Sequence, residues 1–261
     1  MNNLLQINLF SYLHDNDKVL FCKTDFLSSA FYLISKLSHD VILITGNSDY
    51  EINDSIRKQG PSNIKYWFAQ NANCDNIFSI PIGLENTLKC NLDGHGVVWP
   101  HAEPKHNIIF NAKEKKPSKS VYCNFSLSTN PSVRSLVYNN CLLNKDINCD
   151  ICSDHNEINK KNYSDYIQDI LDHEMVICPE GNGIDCHRVW ETLLLGRVPI
   201  VRKSKVMNDF SDLPILYIDD WDEIKDSSLI NEKYNSVKDN STEKLNFKYW
   251  ENLILSYRSK L

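Results

Sequence analysis

Glu180, Asp185, His187, Arg188 and Glu191 crowd around two glycines, Gly181 and Gly183, in the stretch VICPEGNGIDCHRVWETLLLGRVPIV at residues 176–201. An apolar run delivers the chain to Pro179-Glu180-Gly181-Asn182-Gly183, and a helical pattern begins within two residues. Strand, glycine loop, helix is the order this implies. Two glycines permit positive φ and let a ligand approach the backbone closely. The helix that follows aims its unpaired N–H groups and positive dipole end at the same loop, which makes an anion site. In an open parallel sheet, ligands bind beyond the carboxyl end of a strand, where this loop falls. It is not a P-loop, since no Gly-Lys-Ser/Thr follows, and its glycines lack the dinucleotide spacing.

On the helix, Arg188 and Glu191 are three apart and share a face, with His187 four before Glu191. Val189, Trp190, Leu193 and Leu194 lie on the other side, so Trp190 reads as core. In isolation Arg188 and Glu191 would be a surface ion pair worth under about 1 kcal/mol. Beside a glycine loop they suggest more. A guanidinium suits a diphosphate by bidentate hydrogen bonding, and a carboxylate one turn deeper suits ribose hydroxyls.

The elements that must position these groups follow from periodicity. Residues 18–22, 41–45 (VILIT), 64–69 and 77–80 read as strands, the second apolar enough to be buried on both faces. Residues 26–37 carry apolar side chains at helical spacing behind Asp25 as an N-cap, and a helix is expected near 50–58. Such alternation points to a parallel sheet with covering helices. Between 90 and 120, Gly94, Gly96, Pro100, Pro104, Pro117 and the KEKK of 113–116 break the pattern and mark a linker. His95, His101 and His106 in that stretch lack regular metal-ligand spacing. The second half offers strands at 120–125, 175–178, 198–201 and 215–218. Helices are expected after Pro131, at 163–171, at 185–195, in short pieces at 221–224 and 229–234, and at 243–257. Residues 140–161 read as polar loop. Two α/β lobes result, residues 1–115 and 116–261.

The stretch PEGNGIDCHRVWETLLLGRVPIV resembles the C-terminal signature of exostosin-like glycosyltransferases of the GT-B fold, in particular their short microbial and viral-type members. LPILYIDDW (213–221) is similar to the strand and Asp-Trp that follow in that family, and YCNFSLSTNPSVR (122–134) to the segment opening its nucleotide-binding half. LITGNSDY (43–50) and IPIGLEN (80–86) are similar to acceptor-side segments. The resemblance is dense between about 175 and 221. It implies an α/β, GT-B-like fold of two Rossmann-like parallel-sheet lobes with a cleft between them. It also implies transfer of a hexosyl or pentosyl group from a nucleotide-sugar donor to a glycan or glycoconjugate acceptor, with no cofactor and no metal required. Full-length exostosins are larger, membrane-anchored and lumenal, so their heparan substrate is not carried over.

Carried onto this sequence, the resemblance implies donor binding by Arg134, Glu180, Gly181, Asn182, Gly183, Asp185, His187, Arg188 and Glu191. Arg188 would neutralise the departing diphosphate, Glu191 would hold the ribose, and the loop would approach the phosphates or sugar. Arg134 reads equally as a second phosphate ligand or as a solvated helix residue. An inverting transfer also needs a base near the acceptor hydroxyl. Asp49, at the end of VILITGNS, is the first candidate, with Asp25 and Glu85 behind it; Asp49 also reads as the cap of the following helix. The alternative of a different class is a non-catalytic nucleotide-sugar or glycan-binding module that lacks the base. A third is an enzyme handling a sugar phosphate at the same anion site.

Composition sets outer limits. The chain has 261 residues, 42% hydrophobic and 24% charged, which is a globular balance. A formal net charge of -6 argues against a nucleic-acid binder, though not against a local basic pocket. No run approaches the roughly 18–20 apolar residues of a membrane span, and the N-terminus lacks a signal-peptide pattern. Peripheral membrane association stays open. Nine cysteines without framework spacing read as reduced thiols of a cytoplasmic protein. Cys149 and Cys152 form a lone C-x-x-C, with Cys141 and His155 nearby; without a second C-x-x-C it is not taken as a zinc or redox site.

Overall fold

The computed structural model describes residues 9–85, 105–150 and 161–261. After a 3-10 turn at Leu9–Leu13, strand β1 (Val19–Lys23) leads into helix α1 (Leu27–Ile34). Strand β2 (Val41–Gly46), the two-residue β3 (Ile52–Asn53), helix α2 (Asp54–Gln59), β4 (Ile64–Ala69), β5 (Ala72–Asn73) and β6 (Phe78–Ser79) complete the first lobe's described elements. β1, β2, β4 and β6 form one sheet in that order, parallel throughout. β2 is buried along its whole length, as its unbroken apolar run demands.

Two local expectations change. A 3-10 turn at Thr24–Phe26 precedes α1, whose N-cap is Phe26, so Asp25 caps nothing. α2 starts late because residues 52 and 53 pair with β5, and its cap is Asn53, whose side chain accepts from the Ile56 N–H at 3.2 Å. Asp49 is therefore not a helix cap.

Helix α3 (Lys105–Asn111) lies within the stretch expected as linker and packs on a helix of the second lobe, α5 below. His95 and His101 fall outside the described residues. The second lobe alternates β7 (Lys119–Cys123), α4 (Pro131–Leu142), β8 (Ile147–Cys149), α5 (Tyr163–Asp172), β9 (His173–Ile177), α6 (His187–Leu194), β10 (Val198–Arg202), α7 (Lys205–Asn208), β11 (Leu216–Ile218) and α8 (Ser227–Val237). Its five strands run in the order β11-β10-β9-β7-β8, again all parallel. β8 occupies part of the segment expected as loop; Cys152 and His155 lie outside the described residues.

The last described helix, α9 (Phe247–Arg258), crosses back to the first lobe. Tyr257 packs its ring 4.7 Å from Tyr66 and 4.9 Å from Phe78, Phe247 meets Phe10 at 5.3 Å, and Arg258 donates to Asp15 at 2.8 Å. One apolar cluster accordingly spans both lobes, joining Ile42, Phe68 and Ile82 to Val176, Trp190, Ile215 and Trp250. Each such fully buried side chain contributes about 1.5–3 kcal/mol, so the lobe boundary is itself a core.

Candidate functional site

β9 carries the chain to the glycine loop, and α4 holds that loop from beneath. Arg134 is buried; its Nε donates to the carbonyl of Glu180 at 3.0 Å and its Nη1 to that of Ser126 at 2.8 Å. Asn130 donates to the carbonyl of Gly181 at 3.0 Å. A Cβ on Gly181 would lie 3.1 Å from Arg134 Nη2, and one on Gly183 would lie 2.9 Å from Asn71 Nδ2 and 3.3 Å from the Asp49 carbonyl. Neither glycine has a positive φ. They are needed for close approach of protein to protein, which corrects the expectation of a left-handed, ligand-facing turn.

The far end of the loop is a seam with the first lobe. Asp185 is 2% exposed. Its carboxylate accepts from the Ile82 N–H and from Trp190 Nε1, each at 2.8 Å, and its own N–H donates to Asn71 Oδ1 at 2.9 Å. Burial pushes this carboxyl up to about 7, against the pull of those N–H donors. His187 donates through Nδ1 to the Gly83 carbonyl at 2.7 Å, and Asn182 donates to exposed Asp49 at 3.3 Å. The mouth of α6 thus meets first-lobe protein, and the positive groups that face an anion must be side chains.

Two of those side chains, Arg188 and Arg134, act on each other electrostatically. Arg188 is half-buried; its Nε is buried without a hydrogen-bond partner, and its guanidinium makes no ion pair among the described residues. Burial opposes its charge, while the nearby Glu191 carboxylate favours it and its pKa stays above the ordinary arginine value. Burial, and then the charge of Arg188, draw Arg134 down to about 10, so the two guanidiniums repel one another. On the other side of the loop, Arg202 grips Glu180 Oε1 through Nε at 2.9 Å and Nη2 at 2.8 Å, leaving Glu180 Oε2 buried and unpartnered among the described residues. An orphaned donor and an orphaned acceptor flank the same loop. Each is expensive to leave unsatisfied, about 1–3 kcal/mol or more.

Glu191 is 4% exposed. Its two oxygens accept from the hydroxyls of Tyr163 at 2.9 Å and Tyr166 at 3.1 Å, while Lys105 stands 4.0 Å away. Lys105 also pairs with Glu85 at 2.5 Å. Burial works against the Lys105 charge, but Glu191 and Glu85 lift its pKa above the usual lysine value. Lys105, Tyr163 and Tyr166 were not singled out by sequence. Lys105 sits among loop-like prolines and carries no motif; the two tyrosines, three apart, read only as one apolar face. Trp190 is fully buried and meets Phe210 edge-on at 5.1 Å, a core residue as expected. Asp25 stands beside Lys23 at 3.5 Å, at the entry to α1.

Two parallel-sheet lobes joined by a shared apolar core and by the hydrogen bonds of Asp185 and His187, with arginines at the strand end of the second, define a GT-B-like architecture. By sequence, the chain belongs to the family of the RXYLT1 C-terminal domain, which it matches over residues 104–258. No curated protein matches it in sequence. In fold it is similar to an α1,3-fucosyltransferase, with 12% identity, a TM-score of 0.44, and coverage of 95% of this chain and 79% of that chain. It is also similar to an α1,3-fucosyltransferase with GDP-fucose, at 14% identity and a TM-score of 0.40, over 93% and 89% of the two chains. Among the described residues no helix is long and apolar enough to cross a membrane.

Proposed function

We propose that the protein is a glycosyltransferase that moves a hexosyl or pentosyl group from a nucleotide-sugar donor onto a glycan or glycoconjugate. The reading rests on Arg188, a guanidinium with no partner among the described residues, held beside Arg134 at the end of a parallel strand. A diphosphate supplies the charge that both arginines lack, and bidentate hydrogen bonding suits its geometry.

In the reaction the acceptor hydroxyl oxygen bonds to the anomeric carbon as the bond from that carbon to the phosphate oxygen breaks. The leaving nucleoside diphosphate keeps the electron pair. Arg188 stabilises the growing negative charge, with Arg134 Nη2 behind it, so no metal or cofactor is required for that role. Glu180 offers its free oxygen to a sugar hydroxyl, within the loop 180–183. Glu191 reaches a ribose only by exchanging one of its phenol partners. Asp185 and His187 shape the donor side by fixing the loop to the first lobe. Asp49, exposed at the seam and touching Asn182, takes the acceptor proton. Free thiols at Cys22, Cys74, Cys123, Cys141, Cys149, Cys178 and Cys186 favour a reducing compartment, the cytoplasm, and the net charge of -6 disfavours a nucleic-acid partner.

A thermal-shift screen with UDP-, GDP- and CMP-sugars tests the proposal. One donor class should raise the melting temperature of the wild type and leave Arg188→Ala unmoved. Donor turnover then separates a transferase from a binding module, and no response to any donor removes the proposal.

A further inference from the structure

Three cysteines that the transfer chemistry does not use converge in the second lobe. Cys123 ends β7, Cys149 ends β8, and Cys141 descends from α4. The parallel register sets Cys123 opposite Cys149. All three sulfurs lie within 4.8 Å of one another, and the Cys141 thiol donates to Cys123 at 3.4 Å. Cys123 and Cys141 are fully buried, while Cys149 is half-buried.

We propose that Cys123, Cys141 and Cys149 supply three thiolate ligands to a single zinc ion. Zinc–thiolate bonds of about 2.3 Å put tetrahedral sulfurs about 3.8 Å apart, and the observed spacings, one at 3.4 Å and all within 4.8 Å, bracket that value. Packing alone accounts for a buried thiol, but not for three sulfurs from three elements aimed at one point. A disulfide would join only two of them and leave the third. Binding converts three thiols to thiolates around the cation and releases three protons to solvent; no electrons move.

The consequence is structural. The ion ties β7, β8 and α4 together, and α4 carries Arg134, whose Nη1 donates to Ser126 just beyond Cys123. The site therefore braces the platform under the glycine loop without entering the reaction.

The full chain, expressed with zinc in the medium, should carry about one zinc per molecule. Chelation should lower its melting temperature and expose three further thiols to an aromatic disulfide reagent. Cobalt(II) added to the stripped protein should give thiolate charge-transfer and tetrahedral ligand-field bands. Cys149→Ser, at the least buried position, should lose zinc and those bands, while Cys22→Ser in the first lobe keeps both. Folded protein without zinc or cobalt bands overturns the proposal. So does unchanged zinc content in Cys149→Ser, or a mass two hydrogens short that maps to a disulfide within the triangle. If Cys149→Ser does not fold, thiol protection by zinc in the wild type decides between the same outcomes.

Discussion

The Asp185 carboxylate stands 2.8 Å from the Ile82 backbone nitrogen, and through that hydrogen bond the glycine loop of one lobe is tied to the chain after β6 in the other. Burial raises this carboxyl from 3.8 to about 7. Between those values the folded protein holds a proton that the unfolded chain has released. The resulting stability is complete below the unfolded value and is lost as pH rises through about 7. Melting temperature should fall across that window and then level off. In Asp185→Asn the Asp185 share of this slope disappears. The amide must also turn a donor toward either Ile82 or Trp190, which costs about 1–3 kcal/mol. Parallel melting profiles for variant and wild type would remove Asp185 as the source.

Arg188→Ala breaks no side-chain hydrogen bond among the described residues and removes a buried, unpartnered Nε–H. Its melting temperature should stay close to that of the wild type, while donor affinity drops at least about tenfold, roughly 1.4 kcal/mol. Arg188→Lys keeps the charge but not the fork and should fall between. Titration calorimetry with the donor found by screening reads both. Unchanged affinity in Arg188→Ala would strip the residue of its assigned role.

Arg134→Ala should behave in the opposite way. It removes two hydrogen bonds from a guanidinium to backbone carbonyls that hold the loop. The loss should be about 3 kcal/mol in urea unfolding, with donor binding weakened because the loop is released. A variant as stable as the wild type would contradict the bracing seen here.

Asp49→Asn should leave stability within about 0.5 kcal/mol, since the side chain is exposed and α2 is capped by Asn53. Turnover should fall about 10²–10⁴-fold with donor affinity retained, as expected for loss of a base. Asn53→Ala should do the reverse, losing about 1 kcal/mol of stability at normal turnover. Full activity in Asp49→Asn would move the base elsewhere, with Glu85 next to be substituted.

The strands were legible wherever burial on two faces forces continuous apolar runs, as at residues 41–46 and 198–202. So was the strand–loop–helix unit around Gly181. What local pattern could not convey was the partner. Asp185 and His187 carry the types expected of a ligand site, yet both are used to join the lobes. That use depends on Asn71, Ile82 and Gly83, a hundred residues upstream and mostly contributing backbone atoms, which leave no side-chain signature. Arg134, read evenly as ligand or solvated residue, is buried. β8 escaped notice because Ile147–Cys149 is three residues long within polar sequence, and the sulfur triangle escaped with it. Cys123 belongs to no spacing motif and is brought to Cys149 only by strand register.

The placement of Tyr257 against Tyr66 and Phe78 also bears on biogenesis. During synthesis the first sheet leaves the ribosome long before the residues that cover its aromatic hollow. Until α9 emerges, that hollow is a sticky, chaperone-attracting surface. Burial of that hollow therefore waits on one late docking event, and a nascent chain stalled before α9 should be far more prone to proteolysis and clumping than one that has passed it.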